Sequence, residues 1–276
     1  LIVAALTLFP SDSAVQEAGC WAVAALSTNN IQNSRALGAL GACALVAAAM
    51  EAFPWDRGVQ ERACGAVGGL ACEDPTNISL LLKEGIPYLL AASLTMFPDN
   101  ARVHRRACWA MANLSWDNSG AVQLAEAGAC HLVSSALVAF PTHTGVQEEG
   151  LGAVVNLAAS SEENARLLGE AGACELVVSA LTSFKSPQPG GGGRSNRLVA
   201  KMALHAVERL ASTIHPGYER LVAAGAPGAV VTALRAFPGD LALEKSGCEA
   251  VATLAMLPLG AEALGREGAC SQVVAV

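Results

Sequence analysis

Trp109 and Asn113 stand one helical turn apart, and between them they carry the chemistry of a grip on another chain. An Asn amide offers both a donor and an acceptor, so it can hold the backbone of an extended peptide whatever the peptide's side chains. A Trp one turn earlier walls an apolar slot and takes a cationic side chain against its face for about 0.5–2 kcal/mol. Asn156 repeats the amide and Trp21 repeats the indole. Arg62, Arg106 and Arg209 add guanidinium groups whose fork matches a carboxylate, and Glu149 adds one acid.

Covalent chemistry has far less to work with. His104, His131, His143, His205 and His215 show no partnered spacing, and no G-x-S-x-G, H-E-x-x-H or Walker sequence occurs. No cysteine pair has the C-x2-C spacing of a zinc site. The expectation is a protein that is not an enzyme, without cofactor or metal.

The totals narrow the partner. With 17 basic against 24 acidic residues the net charge is -7, which repels a phosphate backbone and argues against nucleic acid. The hydrophobic share of 53% owes much to alanine. The longest uncharged stretch, Ala127 to Gln147, is broken by His131, Pro141, Thr142 and His143, so membrane insertion is not expected. Leu1 to Leu8 has the look of a signal-peptide core, yet it aligns with Leu45 to Ala52 inside a repeat and is read as a structural helix.

The repeat is what must position these residues. All six phenylalanines, Phe9, Phe53, Phe97, Phe140, Phe184 and Phe237, mark equivalent positions at intervals near 44 residues, with one longer interval at the end. That period lies in the armadillo and HEAT range and predicts a solenoid of about six repeats. Cysteines follow it as well: Cys43, Cys130, Cys174 and Cys270 share one position, Cys20, Cys64, Cys108 and Cys248 another, and only Cys72 stands apart. Pro87, Pro227 and Leu151 replace them elsewhere, so the thiols are read as buried, reduced, small apolar groups in an intracellular setting. The compartment expected is the cytoplasm, with nucleus and cilium as alternatives.

Apolar spacing divides each repeat into three helices. A short first helix follows Asn33, Asn77, Gly120, Asn164, Gly217 or Gly260, and ends at Gly41, Gly85, Gly128, Gly172, Gly225 or Gly268, where a left-handed residue turns the chain. The second carries a stripe such as Leu132, Val133, Leu137 and Phe140 and stops at Pro10, Pro54, Pro98, Pro141 or Pro238. Pro87 and Pro227 sit in its first turn, where no amide donor is needed. The third is the most regular, with Ala22, Ala66, Ala110, Ala153, Ala206 and Ala250 marking a close approach of helices. Ser13 with Gln16, and Thr144 with Gln147, have capping-box spacing at its start.

The short helix, the turn glycine followed by Ala-Pro or Ala-Cys, and the third helix with Ala-Cys-Trp-Ala-Met-Ala-Asn-Leu at Ala107 to Leu114 resemble the armadillo repeat of importin-alpha and beta-catenin. The likeness covers nearly the whole chain. It implies an all-α, right-handed armadillo-repeat superhelix over residues 1–276, truncated at both ends, whose ends are covered by further repeats or a partner. Residues 185–197, KSPQPGGGGRSNR, are expected to form a flexible loop inserted between two helices of one repeat, with Ser186-Pro187 a candidate phosphorylation site.

Positions three, six and ten residues after the opening valine of the third helix vary most, and they share one helical face. They read Ala18, Trp21, Ala25; Arg62, Gly65, Gly69; Arg106, Trp109, Asn113; Glu149, Gly152, Asn156; Met202, His205, Arg209; Ser246, Glu249, Thr253. The resemblance places that face along a concave groove, where Trp-x-x-x-Asn grips peptides. The candidate peptide-binding residues are therefore Trp21, Arg62, Arg106, Trp109, Asn113, Glu149, Asn156 and Arg209. Ala25, Gly69, Arg209 and Thr253 stand where a receptor for Lys-rich cargo would repeat its Trp and Asn, and arginines stand where it would place acids, so the ligand expected is partly acidic. Rival readings make the array a structural spacer in a large assembly such as a ciliary scaffold, or the regulatory part of a longer enzyme.

Overall fold

The computed structural model describes residues 1–184, 193–212 and 217–274, and among them every regular element is a helix. The chain opens with α1 (Ile2–Leu8), then α2 (Ser13–Ser27), α3 (Ile31–Ala39), α4 (Ala42–Ala52), α5 (Arg57–Ala71), α6 (Pro75–Lys83) and α7 (Ile86–Met96). It continues through α8 (Ala101–Leu114), α9 (Asn118–Glu126), α10 (Ala129–Ala139), α11 (Thr144–Ser160), α12 (Glu162–Glu170) and α13 (Ala173–Ser183). The remainder is α14 (Gly193–Ser212), α15 (Gly217–Ala223), α16 (Ala226–Ala236), α17 (Leu241–Leu254), α18 (Pro258–Arg266) and α19 (Ala269–Val274). Packing divides them into two compact units, Leu1–Ala139 and Phe140–Val276. No single described helix is long and apolar enough to cross a membrane.

Every third helix is the long one: α2, α5, α8, α11, α14 and α17. In the first unit α2 packs on α5 and α5 on α8; in the second α11 packs on α14 and α14 on α17. Small residues allow it, since Ala66, Ala110, Ala153, Ala206 and Ala250 have no exposed surface. Beside them Leu70, Leu114, Leu157, Leu210 and Leu254 are equally buried, each worth about 1.5–3 kcal/mol of transfer free energy. The turn glycines behave as read: Gly41, Gly85, Gly128, Gly172, Gly225 and Gly268 all have φ between 68° and 91°. Burial pushes the thiols of Cys20, Cys43, Cys64 and Cys174 up to about 12, leaving them unreactive fillers, whereas Cys270 is exposed.

Several boundaries differ from the sequence reading. First helices begin earlier than placed, because Asn30, Asp74, Asp117 and Ser161 cap them with their side chains. The capping boxes do not form. Asp12 and His143, one residue ahead of the expected serine and threonine, cap α2 and α11 instead. The glutamines do other work: Gln16 donates to the Leu6 and Phe9 carbonyls, Gln60 to those of Met50 and Phe53, and Gln147 to that of Phe140. Each clasps the carbonyl end of the preceding helix, adding to the turn bond that the Phe9, Phe53 and Phe140 carbonyls accept from Asp12, Asp56 and His143. Residues 193–197 of the expected inserted loop are the first turn of α14; the rest of it, including Ser186-Pro187, lies outside the described residues.

The joint between a third helix and the next first helix comes in two lengths. Where it is longer, Asn33 and Asn77 donate their Nδ2 to the carbonyls of Leu26 and Leu70, seven residues back, at 3.1 Å. Where it is one residue shorter, Gly120 and Gly260 occupy the equivalent place, and a Cβ there would run into the backbone of Leu114 or Leu254. The longer joints contain Asn29 and Glu73, the two non-glycine residues with positive φ, at 57° and 55° among the described residues. Asparagine adopts this conformation at lower cost than glutamate. Glu73→Asn is expected to raise stability by up to about 1 kcal/mol, read as a higher thermal midpoint.

Candidate functional site

Three long helices of the first unit, α2, α5 and α8, carry the face on which most candidate residues lie. The middle one is nearly bare there, because Gly65, Gly68 and Gly69 give α5 no side chains at the crossings. Trp109 of α8 lies directly on Gly68, whose missing Cβ would otherwise meet the indole ring. One turn further on, Asn113 Nδ2 donates to the Gly68 carbonyl at 2.9 Å. The Trp and Asn predicted as a pair are thus brought together, over the neighbouring helix. One amide hydrogen of Asn113 is committed to that helix, and the carboxamide keeps its oxygen and a second hydrogen.

Both arginines on this face lie over indoles. The Arg62 guanidinium of α5 sits 5.2 Å from the ring centre of Trp21 on α2, and Arg106 sits 6.0 Å from that of Trp109 on its own helix. At a site this open each pair contributes about 0.5–1 kcal/mol. Trp21 is 59% exposed, so its outer face remains available. Carboxylates balance Arg62 loosely, Glu17 at 3.8 Å and Glu61 at 3.7 Å. These half-exposed pairs add little stability but fix where the positive charge stands.

In the second unit Glu149 and Asn156 lie on α11 and are half-buried, and Arg209 lies on α14, exposed, 3.9 Å from Glu208. His205 of α14 meets Ser246 Oγ of α17 at 2.8 Å, and burial together with Lys201 holds its ring below the usual histidine range. Sequence reasoning missed Gly68 and Glu17. Gly68 falls one position outside the three-six-ten pattern, and only its smallness beneath a neighbouring Trp could have drawn attention to it. Glu17 was legible as the acid one helix over from Arg62.

Among known proteins, no family model matches this chain and no curated protein matches it. Solved structures do. An engineered protein from a structural genomics programme superposes with a TM-score of 0.83 at 22% identity, over 99% of this chain and 63% of its own. A designed armadillo repeat protein in complex with the peptide (KR)4 gives 0.73 at 22% identity, over 91% of this chain and 97% of its own. Computationally designed armadillo repeat proteins for modular peptide recognition give 0.72 at 21%, over 91% and 98%. The chain is an all-α solenoid of the armadillo-like class. At such identities the likeness is one of fold.

Proposed function

We propose that this array is a non-catalytic scaffold which takes an extended, carboxylate-bearing polypeptide segment along the α2, α5 and α8 face. The observation that carries it is the pair of guanidinium groups laid over Trp21 and Trp109. A guanidinium stacked on an indole is held in place before a ligand arrives, so less side-chain entropy is lost when a carboxylate binds its N–H edge. The glycines let the Trp109 ring and the Arg106 stem seat close on α5, and the remaining carboxamide groups of Asn113 suit a peptide backbone laid beside them. Two of the structural neighbours are described as peptide binders, which supports this use of the fold. The one bound to (KR)4 takes a basic peptide; arginines at Arg62 and Arg106 favour the opposite sign here.

Fluorescence anisotropy with two labelled peptides of equal length, one rich in Asp and Glu and one in Lys and Arg, tests the reading. The acidic peptide is expected to bind, more weakly as salt rises, and the basic one to bind at least about tenfold less well. Equal affinities, or preference for the basic peptide, would refute it.

A further inference from the structure

On α2, Glu17 and Trp21 stand one turn apart, and on α5, packed beside it, so do Gly58 and Arg62. Glu17 leans across to α5. A Cβ at Gly58 would run into its carboxylate, so the missing side chain there is what lets the acid settle against the second helix. The Arg62 guanidinium reaches both members of the α2 pair, 5.2 Å from the indole centre and, through Nε, 3.8 Å from Glu17 Oε1. An indole with a carboxylate one turn away is a receptor for a cation, and here the chain supplies the cation itself. We propose that Glu17 and Trp21 form a cation-binding slot which Arg62 fills from within, so that Arg62 keeps the Lys and Arg side chains of other polypeptides out of it.

The occupant is held loosely enough to be exchanged. Its distances to Glu17 and Glu61, 3.8 and 3.7 Å, exceed hydrogen-bond length, and its side chain is 30% exposed. An incoming guanidinium or ammonium group gains only the contacts that Arg62 gives up, and then meets the displaced charge of Arg62 nearby. A repulsive group set against the wrong partner is a general route to specificity. The slot occurs once on this face. On α5, Glu61 repeats the acid, but Gly65 stands where the indole would be, and Arg106 Cδ lies 3.5 Å from the place a Cβ would take there. On α8, Trp109 repeats the indole, but Arg105 stands one turn ahead where the acid would be. Only α2 joins the two halves of a cation site, and only there does the next helix place an arginine over both.

The slot lies on the face assigned to peptides above and rests on that reading for its ligand being a polypeptide, but its test uses the opposite charge. In anisotropy with the labelled Lys- and Arg-rich peptide, R62A should raise affinity by roughly 5- to 30-fold, the equivalent of one cation–π contact together with relief of the repulsion. R62K keeps a charge over the ring, and R57A removes a positive charge from the exposed start of the same helix; each should change affinity by less than about twofold. Adding E17Q or W21A to R62A should cancel the gain, with circular dichroism reporting that each variant is folded. E17Q keeps the shape of the side chain and serves alone where W21A does not fold. A gain in R62A no larger than in R57A, or one that survives E17Q, overturns the proposal. The affinity of the unaltered protein for the acidic peptide does not enter the comparison, so either reading can fail while the other stands.

Discussion

Gly260→Ala is expected to destabilise the protein by about 3 kcal/mol, while Gly265→Ala, one and a half turns along the same helix, raises stability by about 0.5–1 kcal/mol. At Gly260 a methyl group would overlap the Leu254 carbonyl and the Tyr218 hydroxyl. That hydroxyl donates to the Leu254 carbonyl at 2.7 Å and accepts from the Gly260 amide at 2.9 Å. The methyl therefore adds overpacking to the loss of a buried polar link, each costing about 1–3 kcal/mol. Leu254 backbone on one side and the buried Tyr218 side chain on the other prevent easy relief. Nothing lies within 4 Å of a Cβ at Gly265, so there alanine only improves helix propensity. Urea midpoints of the two variants check the contrast, and equal shifts would show that the short joint is looser than described.

Reversing both arginines, R62E with R106E, is expected to weaken an acidic peptide by about 100-fold or more, from about tenfold for each charge-assisted contact. Stability should fall by no more than about 2 kcal/mol, since the two cation–π contacts are worth about 0.5–1 kcal/mol each and the ion pairs involved are half-exposed. Replacement by glutamine should give an intermediate loss. Measured by anisotropy beside circular dichroism, a variant that folds and still binds would remove the α2, α5 and α8 face from consideration.

The fold was legible because punctuation repeats. Turn glycines, phenylalanine landmarks and the third-helix alanines, fully buried from Ala66 onward, each recur at one position per repeat, and local geometry follows from such residues alone. The exact helix starts were not, because Ser13 and Thr144 are acceptable caps and nothing in the spacing says that Asp12 and His143 take the role instead. For the face, residue types and register predicted that Trp109 and Asn113 act together and that the arginines share their side. What they act on was hidden. Asn113 reaches 45 positions back in the sequence, to a main-chain oxygen that any residue would supply. A contact of that kind leaves its trace only in the absence of a side chain, at Gly68.

The polar ties at the joints bear on how such an array can be rearranged. Asn77 reaches Ser34 Oγ at 3.0 Å, a medium residue meeting a small one, while the Gly260 amide donates to the Tyr218 hydroxyl in the corresponding place, an empty position meeting a large one. At these two joints neighbouring repeats are thus keyed to each other. Moving one between strangers would leave either a hole or a collision at this spot, so recombination within the array is confined to blocks that keep key and ward together.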